Sequence, residues 1–328
     1  MHATRIPVRI AGTGCVLPGP AVSTAEMAKR VEPPRDPEKM VERTGIANRH
    51  FVKPGTTAAE LSAEAVRGAL DVASMEASQL ERVIFVDSLG GDAIAPATAN
   101  LVAAALGLDG SCDCFDLNNT CTGFLTAFDI AARGVATGSG PVAIAIAEMG
   151  SRYITPDDAR PYLVFGDAGA AVVVDAARNG EGIVASSLRN DGSQQGWVWL
   201  NQGSLTGQRE MLRFGKPNAE LMTRAIDLVQ GRTNEVLARA GVGLDDIDWI
   251  LPHQPNGALL QAILDALGVD DDRVQRVVQD VGSVGAASIP ISLDRLKRAG
   301  RLASGDRVLM VSVGAGLSSG ATLVEVTA

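Results

Sequence analysis

Cys121 is the residue whose surroundings most clearly predict chemistry. It lies in Asp-Leu-Asn-Asn-Thr-Cys-Thr-Gly-Phe-Leu-Thr-Ala-Phe (residues 116–128), where apolar residues after the cysteine recur at helical spacing. With Thr120 as the N-cap, Cys121 would lie in the first helical turn, where free N–H groups and the helix dipole favour a nucleophilic thiolate. Taken alone, a cysteine in an apolar helix is more often inert packing.

His253 is the candidate acid–base partner. It lies in Leu-Pro-His-Gln-Pro-Asn-Gly (residues 251–257), directly after a predicted strand, and a turn at the carboxyl end of a strand can face a crevice. Of the other two histidines, His2 is near the terminus and His50 could be a surface or a core residue. A structural role for His253 is equally compatible with this segment alone.

A glycine-rich turn at residues 314–320 follows an apolar strand. Backbone N–H groups in such a turn can approach a ligand oxygen, as an oxyanion hole requires, although a plain hairpin turn is the alternative. A similar turn at residues 165–171 is interpreted as structural.

The elements that must position these residues repeat weakly along the chain. In each half a helical stretch leads to a strand, and two further apolar strands follow, which predicts sheets buried on both faces. The corresponding ranges are 58–73, 82–87, 142–147 and 168–174 in the first half, and 221–240, 247–252, 308–313 and 320–326 in the second. We therefore predict an α/β fold whose halves, 1–176 with Cys121 and 177–328 with His253, share one core.

The composition excludes several classes of function. Of 328 residues 46% are hydrophobic and 20% charged, as in a globular protein, and the net charge of −9 argues against nucleic-acid binding. Apolar runs are too short for a membrane span or a signal peptide, so we expect a cytoplasmic protein with free thiols. Cys112 and Cys114 are the only close pair of cysteines, and no histidine lies near them in the sequence, so no metal site is expected. The glycine-rich turns do not match the dinucleotide-binding pattern, so no dinucleotide site is expected.

Two further features of the sequence each allow two interpretations. Glu148, at the end of a predicted strand, is either a second acid–base group near the pocket or, as we favour, an ion-pair partner of Arg152 or a neighbour. The polar stretch at residues 189–215, with Trp197 and Trp199, is either a lid or interface loop or an ordinary surface excursion.

Taken in order, several segments resemble the ketoacyl-acyl-carrier-protein synthase III family over nearly the whole chain. The segments are Glu-Arg-Thr-Gly-Ile (42–46), the Cys121 segment, Gly-Asp-Ala-Gly (166–169), Pro-His-Gln-Pro-Asn (252–256), Gly-Ser-Val-Gly-Ala-Ala-Ser-Ile-Pro (282–290) and the turn at 314–320. The resemblance implies a thiolase-like, duplicated αβαβα layered fold and a homodimer. It also implies an acyl-CoA or acyl-carrier-protein substrate and no other cofactor.

The resemblance also implies roles for single residues. Cys121 matches the family's acylated nucleophile and His253 its catalytic histidine, while the backbone N–H groups of Cys121 and Gly316, or a close neighbour, would form the oxyanion hole. Arg43 and Asn256 match substrate-binding positions.

Ser283 is the main departure from the family pattern. The family has Asn at this position, where it works with the histidine to stabilise the enolate formed when a malonyl thioester loses carbon dioxide. Loss of one such donor typically costs about two to three orders of magnitude in rate, whereas acyl transfer through Cys121 does not need it. Asn118 or Asn119 could replace the donor, but polar residues before a helix are usually caps.

Two smaller departures concern the donor and one turn. The family often has a Trp for adenine stacking before the Arg43 motif, and residues 36–41 contain no aromatic side chain, so a carrier-bound donor is as plausible as free CoA. The turn at Gly166 and Asp167 is about one residue shorter than the family pattern, for which we expect a local adjustment.

These observations predict a ketosynthase III-like acyltransferase that passes an acyl group from Cys121 to an oxygen, nitrogen or sulfur acceptor, in natural-product biosynthesis of the polyketide type. The alternatives are a decarboxylating 3-oxoacyl-acyl-carrier-protein synthase III that starts fatty-acid or polyketide chains, and a non-catalytic acyl-binding or partner subunit.

Overall fold

A computed structural model of the chain describes residues 5–178, 180–203, 207 and 210–327. The strands are β1 Val8–Val16, β2 Val22–Ser23, β3 Asn48–Arg49, β4 Arg82–Val86, β5 Asp113–Leu117, β6 Val142–Met149, β7 Asp167–Ala176, β8 Gly182–Asn190, β9 Val198–Trp199, β10 Arg213–Phe214, β11 Trp249–Pro252, β12 Arg307–Gly314 and β13 Ser318–Glu325. The helices are α1 Thr24–Arg30, α2 Pro37–Thr44, α3 Ala58–Ala73, α4 Thr98–Ala105, α5 Gly123–Ala136, α6 Ala159–Tyr162, α7 Asn218–Ala240, α8 Gly257–Leu267, α9 Val278–Val281 and α10 Ser288–Arg298.

Two large mixed sheets carry the predicted repeat. One has the strand order β1-β7-β6-β4-β5 and the other β11-β12-β13-β8. In the first, β4 runs parallel to β6 and β6 antiparallel to β7; in the second, β11 runs parallel to β12 and β12 antiparallel to β13. Each first parallel strand follows a long helix, α3 or α7, so the two halves have corresponding topology.

Helices form three layers around these sheets. The central layer is α5 and α10, because Phe128 and Leu293 belong to one buried cluster with Ile144 of β6 and Met310 of β12. The outer face of the first sheet packs on α3 and α4, and that of the second on α7 and α8. The predicted αβαβα layering is therefore confirmed.

The alternation of side chains along β6 explains why its sequence is apolar throughout. Ile144 and Ile146 face the central layer, whereas Ala143 and Ala145 face α3 on the other side. The boundary between residues 176 and 177 falls between β7 and β8, and the division into two units there stays a prediction. None of the helices in the described part of the chain combines the length and apolarity needed to cross a membrane.

Candidate active site

A cavity of about 1300 Å³ opens between the two halves and contains every predicted site residue. Its wall includes Cys121, His253, Ser283, Gly316, Arg43 and Asn256. Residues from the polar stretch 189–215, among them Trp199, form another part of this wall, so that stretch is more than a surface excursion. Positions 204–206, 208 and 209 lie outside the described residues.

Cys121 lies in a 3₁₀ turn, Thr120–Thr122, between β5 and α5. The expected cap was wrong, because α5 begins at Gly123 with Thr122 as its N-cap and no capping side chain. Thr120 instead has a φ of 47°, and its hydroxyl donates a hydrogen bond to the carbonyl of Ala315 at 3.1 Å. The nucleophile therefore precedes the helix and is tied to the turn after β12.

The Cys121 thiol has its pKa raised to about 12, mainly by burial and further by the Glu148 carboxyl. The expectation that the helix N-terminus would favour a thiolate in the resting protein was therefore wrong. Desolvation of the sulfur outweighs the lowering effect of its backbone N–H. A protonated Cys121 needs a base before it can attack a thioester.

His253 is held in the orientation of such a base. Its backbone N–H donates to the carbonyl of Val311 at 2.7 Å, which fixes the turn after β11, and its Nδ1 lies 2.9 Å from Ser288 Oγ. Because Ser288 donates its own hydroxyl to the carbonyl of Gly285, at 3.2 Å, we assign the Nδ1 proton to His253. Nε2 is then the basic nitrogen. Burial lowers the pKa of His253 to about 4, opposed by a backbone hydrogen bond to Gly285, so the imidazole is neutral near pH 7.

Ser283 is buried, and two backbone hydrogen bonds hold it in place. Its N–H donates to the carbonyl of Val164 at 2.9 Å, and its carbonyl accepts from Gly166 N–H at 3.0 Å. A Cβ on Gly166 would lie 2.4 Å from the carbonyl oxygen of Val281. The turn at Gly166, expected to be structural, thus positions Ser283 in the cavity wall.

The glycine-rich turn at 314–320 fits both interpretations, because it joins the antiparallel strands β12 and β13 and also lines the cavity. Gly314 makes the closest approach: a Cβ there would lie 2.4 Å from Thr120 Oγ1 and 3.0 Å from the backbone nitrogen of Cys121. Gly316 has a φ of 123°, which favours glycine. The oxyanion-hole role of Gly316 stays a prediction.

The two asparagines before the nucleophile have structural partners. Asn118 Oδ1 accepts from Thr120 N–H at 3.0 Å, as a cap does, while lining the cavity. Asn119 donates its amide to Thr126 at 2.9 Å and accepts from Asn190 at 2.8 Å. Both therefore help to hold the Cys121 turn.

Glu148 lies in the cavity wall, and the interpretation as an ion pair with Arg152 is not the arrangement observed. Its carboxyl is buried and accepts hydrogen bonds from Ser88 Oγ at 2.6 Å and from Ala286 N–H at 2.9 Å. Arg152 forms its ion pair with Asp92 at 3.2 Å. Burial, and then the neighbouring Asp87, raise the pKa of Glu148 well above its ordinary value.

Arginines mark the mouth of the cavity. Arg43, at the end of α2, and Arg35 are exposed there. Asn256 is the N-cap of α8 and accepts from Leu259 N–H at 2.9 Å. A Cβ on Gly45 would lie 2.7 Å from Gly257 Cα, so α2 packs directly on the start of α8.

Sequence reasoning missed Ser288 and Asp87. Ser288 stands in the segment 282–290, but nothing in that segment indicates a contact with a histidine 35 positions earlier. His50 has a structural contact, because its Nδ1 lies 3.1 Å from the carbonyl oxygen of Gly19. All four cysteines, including Cys121, are free thiols, as expected. Among the described residues, no cluster of three or more His, Cys, Asp or Glu side chains is arranged to hold a metal ion.

Comparison with protein families assigns the chain to a known group of enzymes. The model of 3-oxoacyl-[acyl-carrier-protein] synthase III matches residues 115–192, and the model of its C-terminal part matches residues 237–326. The chain is 35% identical over 318 residues to a beta-ketoacyl-[acyl-carrier-protein] synthase III of Rhizorhabdus wittichii, which covers 96% of this chain and 98% of the relative. The chain belongs to the synthase III family. It therefore has the thiolase fold and belongs among the condensing and acyl-transferring enzymes.

Solved structures of synthase III proteins have the same fold. That of the Aquifex aeolicus 3-oxoacyl-[acyl-carrier-protein] synthase III superposes with a TM-score of 0.90 at 29% identity, over 97% of this chain and 99% of the other. The priming beta-ketosynthase of the R1128 polyketide biosynthetic pathway gives 0.91 at 27% identity, over 98% and 97%. Proteins with this fold thus include one named as a 3-oxoacyl-[acyl-carrier-protein] synthase III and one named as the priming ketosynthase of a polyketide pathway.

Proposed function

We propose that this protein is an acyltransferase that holds an acyl group on Cys121 and passes it to an acceptor. The observation that carries the proposal is the common cavity wall: a half-buried thiol, a neutral histidine with its Nδ1 hydrogen-bonded to Ser288, and a glycine-rich turn beside the thiol. A nucleophile, a base and aimed backbone donors are the parts that thioester exchange requires.

In the first half-reaction His253 Nε2 takes the proton of Cys121, whose high pKa makes an unassisted thiolate scarce near pH 7. The sulfur attacks the carbonyl carbon of the donor thioester, and the backbone N–H groups of Cys121 and Gly316 donate to the oxyanion. The donor thiol leaves with the proton from His253, and the acyl group remains on Cys121.

Ser283 makes transfer to a new acceptor the favoured second half-reaction. A serine hydroxyl is shorter than an asparagine amide and can itself accept hydrogen bonds, so it is a poorer donor to an enolate oxygen. The second candidate, decarboxylative condensation, is favoured by the names of the relatives, which are beta-ketoacyl synthases. A polyketide-type natural-product pathway is the setting we propose, by analogy with the R1128 priming ketosynthase.

The donor we propose is an acyl-CoA or an acyl carrier protein, because both carry phosphate groups that suit the exposed Arg35 and Arg43 at the cavity mouth. We propose a homodimer as the working unit, which native mass measurement would test by giving about twice the 34.0 kDa of the chain.

The test is the intact mass of the wild-type protein and of Cys121→Ala after exposure to malonyl-CoA and to malonyl carrier protein. A full malonyl adduct that is absent from the variant supports acyl shuttling. An adduct that has lost carbon dioxide, or release of carbon dioxide, favours the condensing enzyme. If a panel of other acyl thioesters also leaves no adduct, and Cys121→Ala keeps pathway function, the protein is a non-catalytic partner subunit.

A further inference from the structure

Glu148 is a titratable group in the cavity that the acylation step does not use. Its carboxyl lies at the end of β6, 2% exposed, in the same wall as Cys121, His253 and Ser283. The turn after Ser283 packs against it, because a Cβ on Gly285 would lie 2.6 Å from Glu148 Cδ. Glu148 therefore borders the cavity that Cys121 also lines, beside the turn that carries Ser283.

The carboxyl is also held in one orientation. Ser88 Oγ, at 2.6 Å, and Ala286 N–H, at 2.9 Å, both donate to Glu148 Oε1. Two donors on one oxygen fix the plane of the group from the β4 side and from the turn before α10. A group fixed by neighbours on two elements suits proton transfer at a defined position.

Asp87 is a charged group that acts on Glu148 and raises its pKa. It follows β4 and is buried, and Gly90 N–H donates to its Oδ1 at 2.7 Å. The other titratable groups around the pair are Cys121, which Glu148 influences, His253 in the same cavity wall, and Arg152 and Asp92, which both act on Asp87. Burial raises the pKa values of both Glu148 and Asp87 above those of exposed carboxyl groups. The charge of Asp87 raises the pKa of Glu148 further, whereas Asp92 raises and Arg152 lowers the pKa of Asp87.

The second half-reaction needs a base for the proton of the acceptor, and both His253 and Glu148 line the cavity. Burial lowers the pKa of His253 to about 4, which weakens its imidazole as a base. Glu148 is the stronger base of the two in this cavity, because its pKa is shifted upward while that of His253 is shifted downward. General bases work best when their pKa lies near the operating pH.

We propose that Glu148 is the general base that takes the proton of the acceptor hydroxyl or amine, and that Asp87 is a positioning residue that acts through Glu148. The inference rests on the proposed acyl-Cys121 intermediate and adds the class of acceptor, one that carries an ionisable O–H or N–H.

The step balances without any further reactant. The acceptor oxygen or nitrogen attacks the carbonyl carbon of the acyl group on Cys121, and its proton passes to the Glu148 carboxylate. The carbon–sulfur bond breaks with its electron pair on the sulfur. The Cys121 thiolate, a strong base in this site, then takes the proton from the Glu148 carboxylic acid, which restores the resting enzyme.

The test separates the two half-reactions. Acetyl-CoA loads Cys121 in a first step, and intact mass then follows loss of the acetyl group to water, to ethanol or to hydroxylamine. In Glu148→Gln the amide oxygen still accepts from Ser88 and Ala286, so loading should stay within about twofold of wild type. Release to water and ethanol should slow by about 10²–10⁴-fold. Hydroxylamine attacks thioesters without a base, so it should restore release.

Two neighbours give opposite shifts that a structural role would not produce. The release rate should rise with pH as Glu148 ionises. Asp87→Asn removes a like charge and should move this rise to lower pH, whereas Ser88→Ala removes a donor to the carboxylate and should move it to higher pH. Glu181→Gln, at another buried acid outside the cavity wall, is the matched control and should leave both half-reactions unchanged.

The outcomes distinguish failure of the proposed function from failure of the proposed role of Glu148. A wild-type protein that forms no adduct on Cys121 overturns the proposed function and the role of Glu148 with it. An adduct that Glu148→Gln releases at the wild-type rate overturns the role of Glu148 alone. Slow release that hydroxylamine does not restore, or pH profiles that the Asp87 and Ser88 variants leave in place, would make Glu148 a structural residue.

Discussion

The Nδ1 atom of His253 lies 2.9 Å from the hydroxyl oxygen of Ser288, which stands 35 positions later in the chain. His253 follows β11 and Ser288 opens α10, the helix of the central layer, so the contact joins a sheet to the layer between the sheets. In this tautomer the Nδ1–H group donates a hydrogen bond to the Ser288 hydroxyl oxygen. Nε2 then carries no proton and can take the proton of Cys121. Ser288 thus sets the tautomer of the base.

Ser288→Ala should lower the rate of Cys121 acylation about tenfold, less than the loss of about 10²–10⁴-fold expected when a general base is removed completely. The imidazole would lose the acceptor for its Nδ1 proton and would spend time in the wrong tautomer. Donor KM should change little, because Ser288 lies behind His253. Single-turnover loading with a thioester, followed by intact mass, measures the effect.

Ser292→Ala is the matched control for that variant. Ser292 lies one turn further along α10, is equally buried and donates to the Ser288 carbonyl at 2.9 Å. Its other hydrogen-bond partners in the described part of the chain are Gln254 and Gln275, not the imidazole. Equal losses of acylation in the two variants would mean that the helix, and not the Nδ1 contact, matters.

Ser283→Asn should raise decarboxylation of malonyl-CoA by about 10²–10³-fold, because it restores a donor aimed at the enolate oxygen. Ser283 lines the cavity, so we expect the larger amide to extend into that space. Carbon dioxide release from malonyl-CoA measures the effect, with Ser283→Ala as the control that adds no donor. An unchanged rate in Ser283→Asn, together with rapid release by wild type, would mean that the serine already supports condensation.

The sequence made the layers and the meeting of Cys121 with His253 predictable. Apolar strands such as β6 and β12 can only be buried on both faces, and the repeat of helix and strand orders them into two sheets. Cys121 follows β5 of the first sheet, and His253 follows β11 of the second sheet. Both residues therefore reach the wall of the cavity between the halves.

The details of the site depend on contacts between the halves, which no local pattern encodes. Thr120 leaves the helical region because its hydroxyl bonds to Ala315 in the other half, which overrides its propensity as a cap. The Cys121 thiol stays protonated because the fold buries it beside Glu148. Burial of charge is a property of packing, so these pKa shifts were beyond prediction from spacing alone.

Glu148→Gln should increase stability more at pH 8 than at pH 5. The unfolded chain ionises Glu148 near 4.5, but the folded protein holds its pKa higher. The contribution of this carboxyl to stability is therefore complete below the unfolded pKa and is lost as the pH rises through the folded pKa. Each unit of upward shift corresponds to about 1.4 kcal/mol, and a glutamine does not titrate. Urea unfolding of both proteins across this pH range measures the difference.

Glu60→Gln is the control of opposite sign. The backbone and side chain of Thr57 donate to the exposed Glu60 and lower its pKa, so its contribution is present above the unfolded pKa and lost at acidic pH. Its replacement should cost stability at pH 8 and none at low pH. A Glu148→Gln difference that does not grow with pH would mean that the carboxyl ionises as freely in the folded protein as in the unfolded chain.

Arg35→Gln and Arg43→Gln should each raise the KM for a phosphate-bearing donor about fivefold, since an exposed charge contributes up to about 1 kcal/mol. The value of kcat should stay unchanged, because both side chains lie at the cavity mouth. The effect should fall at high salt, where exposed charges are screened. Arg67→Gln, an exposed arginine outside the cavity, is the control. An unchanged KM in both variants would mean that Arg35 and Arg43 do not contribute to donor binding.

Gly314→Ala should abolish most acylation while the chain still folds. The added methyl would meet Thr120 Oγ1 at 2.4 Å and the Cys121 nitrogen at 3.0 Å, so the turn that carries the nucleophile must move. Overpacking of this kind typically costs about 1–3 kcal/mol of stability. Because the displaced atoms include the nitrogen proposed for the oxyanion hole, acylation should fall by about 10²-fold or more. Thioester loading and thermal unfolding measure the two effects.

Gly231→Ala shows what the same substitution does where there is room. Gly231 lies in α7, and beyond its chain neighbours and its own helix backbone no described atom would come within 4 Å of the new Cβ. Alanine should therefore stabilise the helix by about 0.5–1 kcal/mol. Its acylation rate should equal that of wild type. If Gly314→Ala loads Cys121 as fast as Gly231→Ala does, the turn after β12 tolerates a side chain, and the close approach of Gly314 to Cys121 does not shape the oxyanion site.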